Sequence, residues 1–224
     1  MELNEMDLKF TVMRIPYKLK KIMTDSEWAN KIYVGGGFIR SIVSGEDIND
    51  IDIFVGDKAR AELLATKLAD SQKIYKSINA YTIRDGEDTY QIIHRWLFNS
   101  VKEVTHSFDF TICCSAVGYD GEWFSFCDEM FYQDLAAKRL VYRRPDRNED
   151  AGGSMLRVLK YYQKGYRMPL DSLSFVIARL MSGTYHLSGV TEDSISDEVR
   201  KLLFTVDPQV DPLHEAHLPD TRRL

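Results

Sequence analysis

Three consecutive glycines, Gly35 to Gly37, separate a short β-rich run at residues 32–34 from a helical run that ends at Gly45. Glycine adopts backbone angles that other residues avoid, so this junction predicts a strand that turns sharply into a helix. Backbone N–H groups at such a helix start attract anions, and the helix dipole adds to the attraction. The junction therefore predicts either a phosphate-binding turn or an ordinary connection between a strand and a helix.

The next β-rich run, at residues 51–55, carries two aspartates at its start, Asp50 and Asp52. Because side chains alternate along a strand, both carboxylates project from one face, about 7 Å apart. Neighbouring carboxylates repel each other, and divalent cations such as Mg²⁺ or Mn²⁺ relieve that repulsion. Two such ions can clamp the attacking and departing oxygens of a phosphoryl or nucleotidyl transfer. The alternative is a solvent-facing pair on an edge strand.

Short β-rich runs alternate with helical runs from residue 32 to about residue 142, which favours an α+β fold with a small mixed sheet. The predicted strands are residues 32–34, 51–55, 81–84, 90–95, 108–116 and 123–126, and the predicted helices between them are residues 57–69 and 100–107. A turn at residues 84–88 predicts a hairpin of the third and fourth strands.

The pattern changes to successive helices near residue 150, at residues 154–165, 171–181 and 194–204, followed by an extended tail. The segment between the two patterns is polar and contains glycine, as is typical of a domain boundary. We therefore predict a sheet domain over residues 1–148 and a short all-helical part over residues 149–224.

The composition excludes several classes of protein. No apolar run is long enough to cross a bilayer, and the N-terminus lacks the pattern of a secretory signal, so we expect a cytoplasmic protein with no membrane partner. A net charge of −5 argues against non-specific binding of nucleic acid along its backbone, although local basic clusters remain. Cys113, Cys114 and Cys127 are odd in number and predict reduced structural thiols.

Residues 36–41 (GGFIRS) and 50–52 (DID), taken together, resemble the head domain of CCA-adding enzymes and bacterial poly(A) polymerases. In these members of the polymerase-β-like nucleotidyltransferase superfamily, a strand leads into G-G-x-V-R-D, and D-[IV]-D follows a short helix. The spacing in this chain agrees with that pattern, and Ser41 stands where the family has an aspartate. The two motifs in one register are much more specific than either motif alone.

The resemblance implies transfer of a nucleoside monophosphate from an NTP to an acceptor hydroxyl, with release of pyrophosphate. Mg²⁺, or Mn²⁺, is the implied cofactor, and an RNA such as a tRNA-like 3′ end is the implied acceptor. The implied catalytic and metal-binding residues are Asp50, Asp52 and Asp109, and the implied nucleotide-binding residues are Gly36, Gly37, Arg40, Arg157 and Lys160.

Two later segments resemble the family more faintly. Residues 107–114 (SFDFTICC) are similar to the family's R-R-D-F-T-I-N-A, so Asp109 is either a third metal ligand or a contact of the incoming nucleotide. Residues 149–166 resemble its neck helix, in which Arg157 and Lys160 match two basic positions and Ser154 replaces a third. The alternative for Arg157 and Lys160 is a solvated basic helix face.

Two other functions remain open at this stage. The acceptor hydroxyl could belong to a protein or a small molecule, as it does for some members of the superfamily. The chain could also be an idle relative that binds a nucleotide or a partner, like an inhibitor or an antitoxin. The departures from the family pattern that keep this second alternative open are Ser41, Ser154 and the missing arginines before Asp109.

Overall fold

The computed structural model describes residues 1–143 and 151–182, and the chain divides into two compact units, Met1–Pro145 and Asp146–Leu224. The helices of the first unit are α1 (Glu5–Arg14), α2 (Tyr17–Met23), α3 (Gly37–Ser44), α4 (Lys58–Ala69), α5 (Val101–Ser107) and α6 (Phe131–Ala136). Its strands are β1 (Ile32–Gly35), β2 (Ile51–Val55), β3 (Ile74–Lys76), β4 (Ala80–Asp85), β5 (Asp88–Ile93), β6 (Ser115–Asp120) and β7 (Glu122–Cys127).

The strands of the first unit form one mixed sheet in the order β3-β4-β5-β2-β1-β6-β7. β2 and β5 are parallel, and the other neighbouring pairs are antiparallel. The predicted hairpin is confirmed as β4 and β5. A small mixed sheet with flanking helices is the predicted α+β class, which the structure confirms.

The predicted strand at residues 108–116 is wrong over most of its length. A single 3₁₀ turn spans Thr111–Cys113, and β6 begins only at Ser115. The turn is fixed by Thr111, whose Oγ1 donates to Asp134 Oδ2 at 2.6 Å, and by Cys113 N, which donates to Phe110 O at 2.8 Å. The turn is buried throughout. The apolar composition of these residues reflects their burial, and burial alone does not distinguish a strand from a 3₁₀ turn.

Side-chain caps set the starts of α4 and α5. Asp57 accepts a hydrogen bond from Arg60 N at 2.7 Å, and Ser100 accepts one from Glu103 N at 3.2 Å. Both caps satisfy N–H groups that have no partner within the helix. α4 packs on β2, β4 and β5, while α5 packs on β1, β6 and β7. The two capped helices therefore cover different strands of the sheet.

An aromatic-rich core forms under α5. Its buried members include Tyr33, Phe54 and Val104, and Phe98 and Phe108 pack against them. The rings of Phe54 and Phe108 meet edge to face with centroids 5.7 Å apart. Since Phe54 follows Asp52 by two residues on β2, this core ends where the carboxylates begin.

The second unit contains α7 (Ala151–Gln163) and α8 (Leu170–Ser182), which pack against each other. They correspond to the helices predicted at residues 154–165 and 171–181. The predicted helix at residues 194–204 and the tail lie outside the described residues. In residues 1–143 and 151–182, no helix is both long and apolar enough to span a membrane.

Candidate functional site

In the glycine turn between β1 and α3, the neighbours of Gly35 and Gly36 leave no room for a side chain. Gly36 has a φ of 73°, and its N donates to Ser115 O at 3.0 Å. A Cβ at Gly36 would lie 2.7 Å from Cε1 of Phe108, and a Cβ at Gly35 would lie 2.9 Å from Ser115 O. Both steric contact and backbone angle therefore require glycine at position 36.

Gly37 is different, because a Cβ there would meet no atom within 4 Å. It is the first residue of α3, and the cap residue Gly36 provides no side-chain hydrogen bond to the helix. The first N–H groups of an α-helix have no partner within the helix and carry the positive end of its dipole. The start of α3 thus combines open space with backbone donors, which suits a phosphate group.

The carboxylate pair lies next to this turn. Across the antiparallel β1–β2 pair, Asp52 is directly opposite Gly35. Across the parallel β2–β5 pair, Asp52 is in register with Gln91, whose Nε2 donates to Asp50 Oδ2 at 3.0 Å. Both aspartates are half-buried. The sheet thereby brings the predicted carboxylates and the predicted glycine turn to one place.

The chemistry of these donors fits Mg²⁺. Magnesium in NTP sites takes one or two carboxylates and completes its octahedron with phosphate oxygens and water. Asp50 and Asp52 provide the two carboxylates beside a helix start that suits a phosphate. No three His, Cys, Asp or Glu side chains converge as a cation site within residues 1–143 and 151–182. Within those residues, Asp50 and Asp52 are therefore candidates as a pair and not as part of a larger cluster.

Asp109, the predicted third ligand, lies in the short connection between α5 and the 3₁₀ turn. Its side chain is 3% exposed, and its backbone oxygen accepts from Arg143 N at 2.7 Å. Its predecessor Phe108 covers the glycine turn, so Asp109 follows a residue of the site directly. Its role as a metal ligand or a nucleotide contact stays a prediction.

Arg40, the predicted triphosphate contact, is buried in an ion pair. Its Nη2 donates to Ser41 Oγ at 2.8 Å and lies 3.3 Å from Glu46 Oε2. The other carboxylate oxygen of Glu46 lies 3.8 Å from Lys138 Nζ. Glu46 is held beside α3 because its N donates to Ser41 O at 2.8 Å. Glu46 thus places a carboxylate beside Arg40, where the family motif has an aspartate at position 41.

Arg157 and Lys160 belong to the second unit, on α7. Arg157 is half-buried and Lys160 is exposed. Ser154, which replaces a basic residue of the family motif, is buried on the same helix. Contacts of Arg157 and Lys160 with a triphosphate stay predictions.

The thiols are structural. The three cysteines are free and buried, as predicted. Burial raises the pKa of Cys114 well above its ordinary value, and Cys113, Asp128 and Asp109 add to the effect. Burial also raises the pKa of Cys127 to about 11. A thiol that stays protonated near pH 7 is a poor nucleophile.

Three residues of the site were not predicted from the sequence: Gln91, Glu46 and Phe108. Gln91 lies in a strand that was predicted, but one amide in a β-rich run gives no sign of its partner. Glu46 follows Gly45, and its distance from Arg40 in sequence hides the ion pair. Phe108 was noted only as a neighbour of Asp109. Gln91 and Phe108 act through tertiary contacts that local patterns do not encode, and Glu46 acts where the chain turns back on α3 after Gly45.

Comparison with solved structures identifies the fold. The chain superimposes on the Thermotoga maritima CCA-adding enzyme complexed with tRNA with a TM-score of 0.59, at 20% identity, over 92% of this chain and 51% of that one. A CCA-adding enzyme structure with ATP gives a TM-score of 0.58, at 19% identity, over 86% of this chain and 49% of that one. The resemblance to the nucleotidyltransferase head is thus confirmed at the level of the fold.

Sequence comparison identifies a more specific relative. "Gabija anti-defense 2" of Bacillus phage SPbetaL7 is 23% identical over 172 residues, which cover 76% of this chain and 41% of that protein. The chain therefore spans less than half of that relative. The profile of the Gabija anti-defense 2 family matches residues 13–138, from α1 to the end of α6. Since this match covers more than half of the sequence and includes the glycine turn and both aspartates, the chain belongs to the Gabija anti-defense 2 family.

Proposed function

We propose that this protein transfers a nucleoside monophosphate from an NTP to an acceptor hydroxyl and releases pyrophosphate. The observation that carries the proposal is the register of β1 and β2, which sets Asp52 opposite Gly35 at the entrance to the glycine turn. A carboxylate pair suited to a cation thus adjoins a helix start suited to a triphosphate.

In this proposal the first turn of α3 holds the triphosphate through backbone N–H groups, and Gly37 allows its close approach. Asp50 and Asp52 would hold Mg²⁺, which supplies charge neutralisation on the triphosphate when bound. The acceptor oxygen bonds to the α-phosphorus as the bond to the β-phosphate oxygen breaks. The protein contributes mainly position and charge, as in other phosphoryl transfers.

Asp109 would complete the site, as a metal ligand or a nucleotide contact, and Arg157 and Lys160 would add positive charge to the triphosphate. Arg40 contributes to this site either directly or by fixing α3 through Glu46. The second route is favoured by the ion pair, because a guanidinium held by Glu46 stabilises the helix whose start would bind the nucleotide.

For the acceptor we propose RNA, because a CCA-adding enzyme of the same fold was solved in complex with tRNA. A protein or small-molecule hydroxyl is the alternative acceptor. The name of the phage relative further suggests that modification of the acceptor counters the defence called Gabija.

A second candidate function is binding without catalysis. It is favoured by the buried pairing of Arg40, the predicted triphosphate contact, with Glu46. The relative is named for countering a defence, which inhibition by binding alone also achieves.

The test is to incubate the protein with each α-labelled NTP, Mg²⁺ and either total RNA or a protein extract, and to follow the label. Asp52→Asn should lower labelling about a hundredfold or more, because it removes a charge that acts on the reacting phosphates. Asp120→Asn is the matched control, since Asp120 is an exposed carboxylate at the end of β6 away from the turn. RNase or protease sensitivity of the label identifies the acceptor class.

NTP binding without labelling of any acceptor would support the second candidate. Equal labelling by the wild type and Asp52→Asn would overturn the assignment of the carboxylates.

A further inference from the structure

Gln91 lies beside the carboxylate pair on the parallel strand β5. Its Cα is in register with Asp52, yet its Nε2 donates to Oδ2 of Asp50 at 3.0 Å. The side chain therefore reaches from the level of one carboxylate to the other. Gln91 is half-buried, so water competes less for this hydrogen bond than it would on an open surface.

The hydrogen bond occupies one oxygen of Asp50 and restricts rotation of that carboxylate. Amide groups that donate to a metal-binding carboxylate orient it, and the loss of such partners weakens metal sites. Because Gln91 lies beside both aspartates, it influences how firmly they hold a cation.

The charge of the amide also matters. Cation affinity rises with the number of charged ligands in a site. Two carboxylates balance one divalent ion, whereas a third carboxylate at position 91 would leave the site with excess negative charge. That excess would favour the cation even when no nucleotide is bound.

We propose that Gln91 is a positioning residue of the cation site that orients Asp50 and, being neutral, makes firm cation binding depend on the triphosphate. The inference rests on the proposed function, because it takes Asp50 and Asp52 as the residues that hold the cation. The metal then enters this site together with the nucleotide, whose phosphate oxygens complete its set of ligands.

The experiment measures Mn²⁺ held by the full chain in equilibrium dialysis, with ATP absent or present at equal concentration on both sides of the membrane. The excess of Mn²⁺ on the protein side then excludes the Mn²⁺ that ATP chelates by itself. The wild type should bind Mn²⁺ weakly alone and more firmly with ATP. Gln91→Glu should bind Mn²⁺ alone about tenfold more tightly or better, since a carboxylate joins the ligand set. Its melting temperature should fall in EDTA, because the introduced carboxylate and Asp50 then repel each other, and should recover with Mn²⁺.

Gln91→Leu has similar size and no amide, and it tests orientation without added charge. It should show no gain in binding of Mn²⁺ alone, and its ATP-dependent binding should weaken about tenfold or more. Wild-type Mn²⁺ affinity in both Gln91 variants, with Asp52→Asn abolishing ATP-dependent binding, would overturn the inference and leave the proposed function standing. No Mn²⁺ binding by the wild type with ATP, together with no labelling of any acceptor, would instead overturn the proposed function.

Discussion

At the scale of single residues, neighbouring glycines of one turn have different reasons to be glycine. Gly36 has a positive φ and lies under the ring of Phe108, whereas Gly37 has open space where a Cβ would stand. The first glycine is required by the protein itself. At the second, no neighbour excludes a side chain, and in the proposed function its open space admits the triphosphate, so the two positions are separable by experiment.

Gly36→Ala should lower the free energy of unfolding by about 2–4 kcal/mol, because the added methyl meets Phe108 and the backbone is strained. Gly37→Ala should leave it within about 0.5 kcal/mol of the wild type or raise it, since alanine favours helix. Gly37→Ala should nevertheless weaken ATP binding about tenfold or more, because the methyl occupies the approach to the turn. Urea denaturation and calorimetric titration check both variants, and equal destabilisation by the two would contradict the steric account.

The ion pair of Arg40 gives a second prediction. Glu46→Gln should destabilise the protein by about 2 kcal/mol, because the buried guanidinium loses a charged partner. Ser41→Asp in the same chain should restore part of the loss, since it places a carboxylate where Arg40 now meets Ser41 Oγ. Thermal unfolding of the single and double variants measures the coupling. Additive effects of the two substitutions would show that they do not share Arg40 as a partner.

At the scale of elements, the sequence predicted the strands and helices that depend mainly on neighbouring residues. β2 was predicted at its observed bounds from alternation, and the helices predicted from residues 57 and 100 are α4 and α5, where Asp57 and Ser100 prove to be the caps. No element was assigned before residue 32, although α1 and α2 are present, because exposed Met6, Phe10 and Met13 blur the amphipathic pattern of α1. β3 is a short edge strand with little burial, so its composition resembled that of a loop.

The candidate site was predictable to a similar extent. The glycine turn and the carboxylate pair are each one continuous run of the sequence, so both motifs could be recognised directly. Gln91 meets Asp50 through the pairing of β5 with β2, which depends on the complete sheet, whereas Glu46 meets Arg40 where the chain turns back after α3. The run at residues 108–116 was assigned to a strand because burial on all sides gives the same composition for a strand and a 3₁₀ turn.

The hairpin of β4 and β5 supports a prediction at this scale. Burial raises the pKa of Asp88, and the nearby charges of Asp85 and Glu87 raise it further. The folded state therefore resists ionisation of Asp88, and its stability falls as pH rises through the carboxylate range. Asp88→Asn should raise the melting temperature at pH 7, and the gain should disappear near pH 3.

Thermal unfolding of Asp88→Asn at both pH values checks this result. Asp120→Asn is the matched control, because Asp120 also flanks a tight turn that contains a glycine but is exposed. A gain in the control equal to that of Asp88→Asn would show that net charge, and not the local environment, is responsible.

At the scale of the whole molecule, the site residues with a described geometry lie in the first unit, and so does the family match. Stability at high pH is also a property of this unit as a whole. Burial raises the pKa of Cys127 to about 11 and raises the pKa of Cys114, Tyr33, Tyr90 and Tyr132. Each of these groups is neutral when protonated, so each raised pKa lowers the stability of the fold as pH rises.

These groups should therefore leave the free energy of unfolding unchanged from neutral pH to the ordinary thiol range, about pH 8.5, and lower it as pH rises to about 11. Above the ordinary pKa the unfolded chain loses protons that the folded chain retains, which favours unfolding. Urea denaturation in a reducing buffer from pH 8 to pH 11 measures the slope. Cys127→Ala should make the slope shallower, and an unchanged slope would remove Cys127 as a cause.

The glycine turn also constrains the order in which the molecule can be assembled. Gly36 N is bonded to Ser115 O, and Phe108 covers the same glycine, so residues some seventy to eighty positions later in the chain complete the turn. A chain leaving the ribosome therefore carries both aspartates well before it has a closed turn. In the proposed function, nucleotide binding would thus report a finished central sheet, and a chain that stalls before β6 is formed would have the carboxylates without the closed turn beside them.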